Sequence, residues 1–545
     1  MKTYGPLAIS RSPPRSWRRC RRTCSSIPGS AIGKVVIRYR PNWSITSVPN
    51  WTGLRLTRTP SAKRGSSTPP QRTRGRARRT RATRPGGLSR RRPSWYPESV
   101  IRRLVVEGYK SLARVELSGL DRLVLLFGPN AAGKSNLLDA LDLLGHLARE
   151  DSAVSAFTKH RGNRAGREVP VRWFFRGTNG NGVEELRLAF TVDIELNPSI
   201  RDRINGALDE RKKRERLERS YTRVTRSRFR YRLQLGYRPR ERALEVTGES
   251  LEALGRDGAA LRSEKPFIRW DQSAGRLAVK LERQAHPRYF ALPRQRSVLS
   301  EVGDVVNHPH LVAVARELAS IRAYYVEPTR MRAEVSDIRA EDPGPHGASL
   351  AAFYHWLEHE HPARYRNLVR NLAQLVPGLT AVEVEEGVEG FLTLWIEEAG
   401  RGRFHAAMVS EGTLRLLCVA GIAATPSPAA VVGYEEPENG VHPARLAQIC
   451  EIVAEAARRD GGSQFLLTTH SRDVIDLLEH RATCFACTGT AAGTVFQPVA
   501  GADQPLLRRA MLQGALQDGE APPPDPEDPE PRSGLGARVA RGDYG

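Results

Sequence analysis

Residues 128–135, Gly-Pro-Asn-Ala-Ala-Gly-Lys-Ser, constrain this chain more than any other stretch. An apolar run, 123–127, leads into them and an amphipathic run, 136–144, leaves them, so the pattern predicts a strand, a glycine-bearing loop and a helix. Gly128 and Gly133 let the backbone curl until successive N–H groups point inward at phosphate oxygens, and the helix N-terminus adds partial positive charge. In such a loop Lys134 reaches the β- and γ-phosphates, and the Ser135 hydroxyl ligates magnesium. A chance turn can share the eight residues, but not the strand before them and the helix after.

The chain is 545 residues long with a formal net charge of +25. That charge would suggest a nucleic-acid binder if it were spread over the chain. Residues 1–99, however, hold 24 Lys/Arg against one acidic residue, Glu98, and so carry +23 of it. The remainder is nearly neutral, and overall basicity says little about what the body binds. Six scattered cysteines do not make a secreted disulfide framework. Cys484 and Cys487 have half of a zinc-ribbon spacing with no second pair, and read as two residues of an apolar strand. No run approaches the roughly 18 apolar residues of a membrane span, and no signal-peptide core is visible. A reducing, cytoplasmic setting and no membrane partner are expected.

Along the chain, residues 1–99 are Arg/Pro/Ser/Thr-rich and expected to be disordered. They read as an over-extended start, with a folded pattern beginning abruptly at Val100, as a nucleic-acid-binding arm, or as a transit-like segment. Strands are expected over 104–107 and 113–117, with a turn at Gly108. The stretch 108–112 lies either near a nucleotide base or in a plain hairpin turn. An insertion occupies about 150–400. In it, 171–175, 186–194 and 227–235 read as strands, 204–220 as a charged helix without a coiled-coil seam, and the region to about 284 as polar loop. A helix is expected over 308–322. Arg330 and Arg332 could contact phosphate or DNA, or form a solvated basic face. Helical spacing follows over 349–375, then a hairpin of 381–385 and 391–397. Residues 501–545 form a C-terminal segment, acidic, Pro-rich and expected to be disordered from about 517.

Three further motifs follow residue 400. Ser410 and Gly412 open an apolar helix, an anion site made of exposed N–H groups or an ordinary N-cap. An apolar strand ends in Glu435 and Glu436, where a parallel sheet places its ligands. Adjacent carboxylates are costly to bury without a cation. Magnesium and a water to be deprotonated account for both, one carboxylate holding the metal shell and the other activating the water. The next apolar strand ends in Thr468, Thr469 and His470, and a histidine placed there can sense a γ-phosphate.

Together these motifs resemble the ABC-type ATPase heads of the SMC and RecF kind, and more closely the AAA-type ATPases related to the ATP-binding half of OLD-family nucleases. Residues 128–136 resemble Walker A, including Asn130 and Asn136, and 409–413 resemble the signature motif. Residues 435–440 resemble Walker B running into the D-loop, with Glu435 where such proteins usually have Asp, and 468–471 resemble the switch histidine. The likeness implies an α/β P-loop NTPase of ABC-head type over about 100–500. It implies ATP and Mg2+ bound by Lys134, Ser135 and Glu435, with Glu436 as general base and His470 as γ-phosphate sensor. Ser410 is then expected to act in trans, so that two copies form a homodimer through ATP. Two departures stand out. No Q-loop glutamine is legible after the first helix, and no Toprim domain or acidic nuclease cluster follows His470, so nuclease activity is not expected from this chain.

The resemblance further implies that hydrolysis is coupled to DNA, or to a separate nuclease or effector protein, in repair or anti-phage defence. The alternative is a nucleotide-gated switch on a protein effector without DNA. A transporter ATPase subunit fits poorly, because the stretch between Ser135 and Ser410 is far longer than in such heads.

Overall fold

The structure, a computed structural model, describes residues 100–499 apart from 161–169, 178–183, 216–220, 283, 337–338 and 388. The described residues belong to one compact unit, Ser89–Gly545. The expectations for residues 1–99 and for the C-terminal segment lie outside them. The chain runs β1 (Ile101–Tyr109), β2 (Leu112–Ser118), β3 (Leu123–Phe127), α1 (Lys134–Arg149), α2 (Ala153–Lys159), β4 (Leu186–Glu195) and α3 (Pro198–Glu215). Next come β5 (Arg228–Arg238), β6 (Ala243–Ala253), β7 (Ile268–Asp271), β8 (Arg276–Val279), β9 (Arg288–Ala291), α4 (Val298–Glu301), α5 (Pro309–Ala319) and β10 (Arg322–Tyr324). Then follow α6 (Pro328–Met331), β11 (Val335–Ser336), α7 (Leu350–Glu360), α8 (Pro362–Leu375), β12 (Leu379–Glu386), β13 (Phe391–Glu398), β14 (Gly402–His405) and α9 (Glu411–Ala424). The last elements are β15 (Val431–Glu435), α10 (Pro443–Arg458), β16 (Gln464–Thr469), α11 (Arg472–Leu478), β17 (Thr483–Thr490) and β18 (Gly493–Pro498).

The six-stranded sheet that carries the motifs has the order β10-β15-β16-β3-β17-β18 and is parallel except for β18. Its central strand β3 is buried at every position. That explains its unbroken apolar run, since a parallel strand covered on both faces has no polar side to show. The pleat divides these residues between two cores. Val124, Leu126, Val431, Leu466 and Cys487 join the core shared with α1 and α5, whereas Leu125, Phe127, Tyr434, Leu467 and Cys484 join the core shared with α7, α9 and α10. Cys484 and Cys487 thus lie on opposite faces of β17 and cannot share a metal, which bears out their reading as strand residues.

An eight-stranded antiparallel sheet, β2-β1-β4-β5-β6-β7-β8-β9, adds to the first core, and a smaller sheet of β11, β13, β12 and β14 lies on the side of the second. Several expectations need correction. The turn falls at Lys110–Ser111, where Lys110 has φ 45°, while Gly108 lies inside β1 against the carbonyl of Arg187. Residues 171–174 form a 3-10 turn, because only a single bridge, Tyr109 to Phe175, pairs this stretch with a strand. The supposed polar loop before 284 contains β6, β7 and β8. Alternate residues of β6 are largely the buried ones, and β7 and β8 are only four residues long, so none of the three offers a long apolar run. The helical stretch 349–375 is two helices, broken where Pro362 begins the second.

Candidate functional site

The phosphate-type loop leaves the C-terminal end of β3 and enters α1 as the sequence predicts. Gly128 and Gly133 have φ of 148° and 104°. A Cβ at Gly128 would stand 2.2 Å from the carbonyl oxygen of Cys487, and one at Gly133 would stand 2.1 Å from Thr494 Oγ1. Both positions therefore require glycine for its backbone conformation and for its lack of bulk. Lys134 is 4% exposed and its ammonium folds back on the loop, donating to the carbonyls of Gly128 at 2.6 Å and Pro129 at 2.8 Å. Burial holds that ammonium below the ordinary lysine value, opposed by Cys487 and then by the fields of Glu436, Glu438 and Glu435. The three carboxylates thus lie within electrostatic reach of the lysine.

Three residues that sequence reasoning missed brace the loop from beneath. Thr494 Oγ1 donates to the Ala132 carbonyl at 2.9 Å, Cys487 Sγ donates weakly to the same oxygen at 3.5 Å, and the hydroxyls of Ser111 and Thr494 lie 2.6 Å apart. Asn136 Nδ2 donates to Ser111 Oγ at 2.8 Å, so its side chain joins the brace, while Asn130 is exposed at the loop tip. Ser111 lay in the stretch 108–112, expected near a nucleotide base or in a plain hairpin turn, and its contact with the loop was not foreseen. Thr494, in the edge strand β18, carries no sequence signal at all.

The carboxylates occupy the expected strand end. Glu435 closes β15, and Glu436 follows with φ 44°, a left-handed conformation uncommon for a non-glycine residue. Its backbone N–H is held by the Thr468 carbonyl at 3.0 Å, and its Oε2 accepts Asn439 Nδ2 at 2.6 Å. Such strain often accompanies functional sites. On the adjacent strand, His470 Nδ1 lies 3.5 Å from Glu436 Oε1 and 3.4 Å from Glu438 Oε1. Glu438 is the part of this cluster that the motif reading undervalued. Its Oε1 accepts Thr469 Oγ1 at 2.7 Å, the His470 N–H at 2.9 Å and the Ser471 N–H at 3.2 Å, fixing the end of β16.

Ser410 and Gly412 lie at the start of α9. Ser410 caps α9, accepting the Thr413 N–H at 3.2 Å, and Gly412 lies near Val441 beyond the carboxylate turn. The body of α9 is buried in the core on the other face of the sheet from the buried face of α1. Arg332 donates to the Val409 carbonyl at 3.1 Å, just ahead of Ser410, and Arg330 pairs with Glu327 at 2.9 Å. Neither arginine is an unpaired solvated charge.

The donor set suits a nucleotide with magnesium. Among the described residues no group of three or more His, Cys, Asp and Glu could hold a metal. Magnesium needs no such group, because it commonly takes one or two protein oxygens with phosphate and water. Ser135 in the first turn of α1 and Glu435 at the end of β15 are the two oxygen donors that the motif likeness assigns to magnesium.

Residues 123–476 match the family described as "AAA domain, putative AbiEii toxin, Type IV TA system". No curated protein matches the chain. Among solved structures, the chain is similar to the Smc head domain of Pyrococcus furiosus, solved with an extended coiled coil and bound to the C-terminal domain of ScpA. The identity is 12%, the coverage 74% of this chain and 96% of that one, and the TM-score 0.41. It is also similar to the SMC head domain from Thermotoga maritima, at 12% identity, 74% and 100% coverage and a TM-score of 0.33. No helix among the described residues is long and apolar enough to cross a membrane.

Proposed function

The chain belongs to this AAA domain family of P-loop ATPases, and we propose from that premise that it binds ATP with Mg2+, hydrolyses it, and works as an ATP-sandwiched homodimer. The observation that carries the reading is the convergence of Glu436, Glu438 and His470 at the ends of two adjacent parallel strands, within the electrostatic reach of Lys134. Magnesium, when bound, offsets phosphate charge. Lys134 and the N–H groups of the loop and helix start hold the phosphates, and Ser135 and Glu435 hold the metal. Glu436 takes a proton from the attacking water, and His470 hydrogen-bonds the γ-phosphate.

Dimerisation is supported by the placement of Ser410 on an α9 whose body packs on the other side of the sheet from α1, so that its anion-binding end is free to complete a second copy's site. Met408, two residues earlier, is 77% exposed. An apolar side chain left in water beside the signature suits a surface that a second copy covers. The partner proposed for the cycle is DNA or a DNA-acting protein. That proposal draws on the motif likeness to SMC, RecF and OLD-type ATPases. A protein effector switched without DNA is the second reading.

The test is the steady-state ATPase rate with and without double-stranded DNA, beside Glu436→Gln. A DNA-stimulated rate that Glu436→Gln lowers about 100-fold or more, with an ATP-bound dimer accumulating on a sizing column, is the expected result. Turnover indifferent to DNA would favour the protein switch, and an undiminished rate in Glu436→Gln would overturn the assignment of the base.

A further inference from the structure

A cavity of about 700 Å3 opens at the other end of the six-stranded sheet, beneath Ala430, Ser463 and Phe465. These residues stand at the starts of β15 and β16, whereas the phosphate loop follows the far end of the parallel β3. The cavity is thus distinct from the ATP site, although its floor strands are the two that end in Glu435 and Thr469. Small-molecule pockets commonly measure about 300–1,000 Å3.

Four arginines line it: Arg203 from α3, Arg316 from α5, Arg364 from α8, and Arg459 just after α10. Arg459 donates to the Ala423 carbonyl at 3.0 Å. The guanidinium groups of Arg203, Arg316 and Arg364 make no hydrogen bond or ion pair with any described residue. Like charges converging on one concavity repel unless an anion joins them, and the guanidinium fork matches phosphate oxygens in pairs. The start of α3 also lines the cavity through Ser199, adding the partial positive charge of a helix N-terminus.

A second observation lies in the wall. Glu317 is 1% exposed and its Oε2 accepts the Asn197 N–H at 2.9 Å, but its Oε1 has no hydrogen-bond partner. A buried polar atom left unpaired is costly, and in a ligand site its missing partner is the ligand. Burial pushes this carboxyl up to about 7, so it cancels less of the arginine charge than an exposed carboxylate would. Asp460 also lines the cavity, leaving the arginines in excess.

We propose that this cavity is a second binding site, for a phosphorylated small molecule of nucleotide size. Arg203, Arg316 and Arg364 hold its phosphate, and Glu317 Oε1 pairs with a polar group on the remainder.

The test uses the full chain carrying Lys134→Ala, which removes the phosphate-loop lysine, titrated calorimetrically with inorganic pyrophosphate. The same titration is made after adding Arg316→Ala and Arg364→Ala. Both arginines are surface residues, and matching thermal melts confirm the fold. The Arg-rich residues 1–99 are common to both proteins, so the difference between them isolates the cavity. One saturable site whose affinity falls at least tenfold on losing the arginines is expected. Absent binding, or binding unchanged by the arginine substitutions, overturns the proposal. So does a short DNA duplex that binds with the same arginine dependence while pyrophosphate does not, since the surface would then read a nucleic-acid backbone.

Discussion

The carboxylate of Glu438 accepts the backbone N–H of His470 at 2.9 Å and lies 3.4 Å from its ring Nδ1. One side chain on the turn after β15 thereby fixes both the position and the ring of the histidine that ends β16. Glu438 also takes the hydroxyl of Thr469, so three groups of the neighbouring strand end depend on it. Glu438 is a positioning residue, distinct from the base proposed at Glu436.

Glu438→Ala is expected to lower kcat about tenfold or more, with the KM for ATP little changed, because the phosphate loop is untouched. Glu438→Gln keeps an acceptor oxygen and should retain most of the rate. A Glu438→Gln protein as inactive as Glu436→Gln, assayed in parallel, would move the base to Glu438.

In the Arg316→Ala/Arg364→Ala background, which disables the cavity proposed above, Lys134→Ala should abolish ATP binding measured with a fluorescent nucleotide, and unchanged affinity would remove the phosphate-loop assignment. Mixed with Ser410→Arg, which damages only the signature, Lys134→Ala should recover part of the ATPase rate. Each mixed dimer would then keep one site built from two intact halves. No recovery at any mixing ratio would mean that Ser410 serves its own subunit's site.

Thr494→Val removes the hydroxyl that ties the loop carbonyl of Ala132 to Ser111. A stability loss of about 1–2 kcal/mol is expected by chemical denaturation, with ATP affinity weakened more than that loss alone would produce. Gly133→Ala should be more severe for binding, because φ is 104° there and the added methyl meets Thr494 at 2.1 Å. Wild-type ATP affinity in Gly133→Ala would show that the loop adopts another curl.

Stability should also depend on pH through Glu249. This carboxyl is fully buried, accepting Tyr231 Oη at 2.9 Å and the Val298 N–H at 2.7 Å, and burial pushes it up to about 7. The unfolded chain releases this proton near the ordinary glutamate value of about 4.3, the folded chain only near 7. Between those values the folded state binds more protons, so its stability falls as pH rises through the window. Glu317, raised to about 7 in the same way, adds to the fall. Thermal melts of Glu249→Gln between pH 5 and 8 should show a shallower decline than wild type. An unchanged slope would mean that Glu249 stays ionised in the fold.

Much of the site was legible because it is local. Residues 128–135 needed only a strand before and a helix after, and the apolar runs ending in Glu435 and Thr469 announced buried parallel strands whose ends face one another. The two-faced strands β6 to β8 were not legible in the same way. Their burial is decided by pairing with β5 and with one another, partners that local composition does not specify.

The sequence by itself determined the α/β P-loop class, the loop, the carboxylate pair and the histidine, because each rests on a backbone conformation or a residue type that neighbours in the chain dictate. The tertiary structure alone decided what supports them. Thr494 reaches Ala132, Ser111 reaches Asn136 and Glu438 reaches His470 across separations that only strand order closes. It also gathered Arg203, Arg316 and Arg364, from three helices far apart in sequence, around one cavity. Hydrogen bonds and charge act over a few ångströms, and which residues lie within that reach is settled by packing.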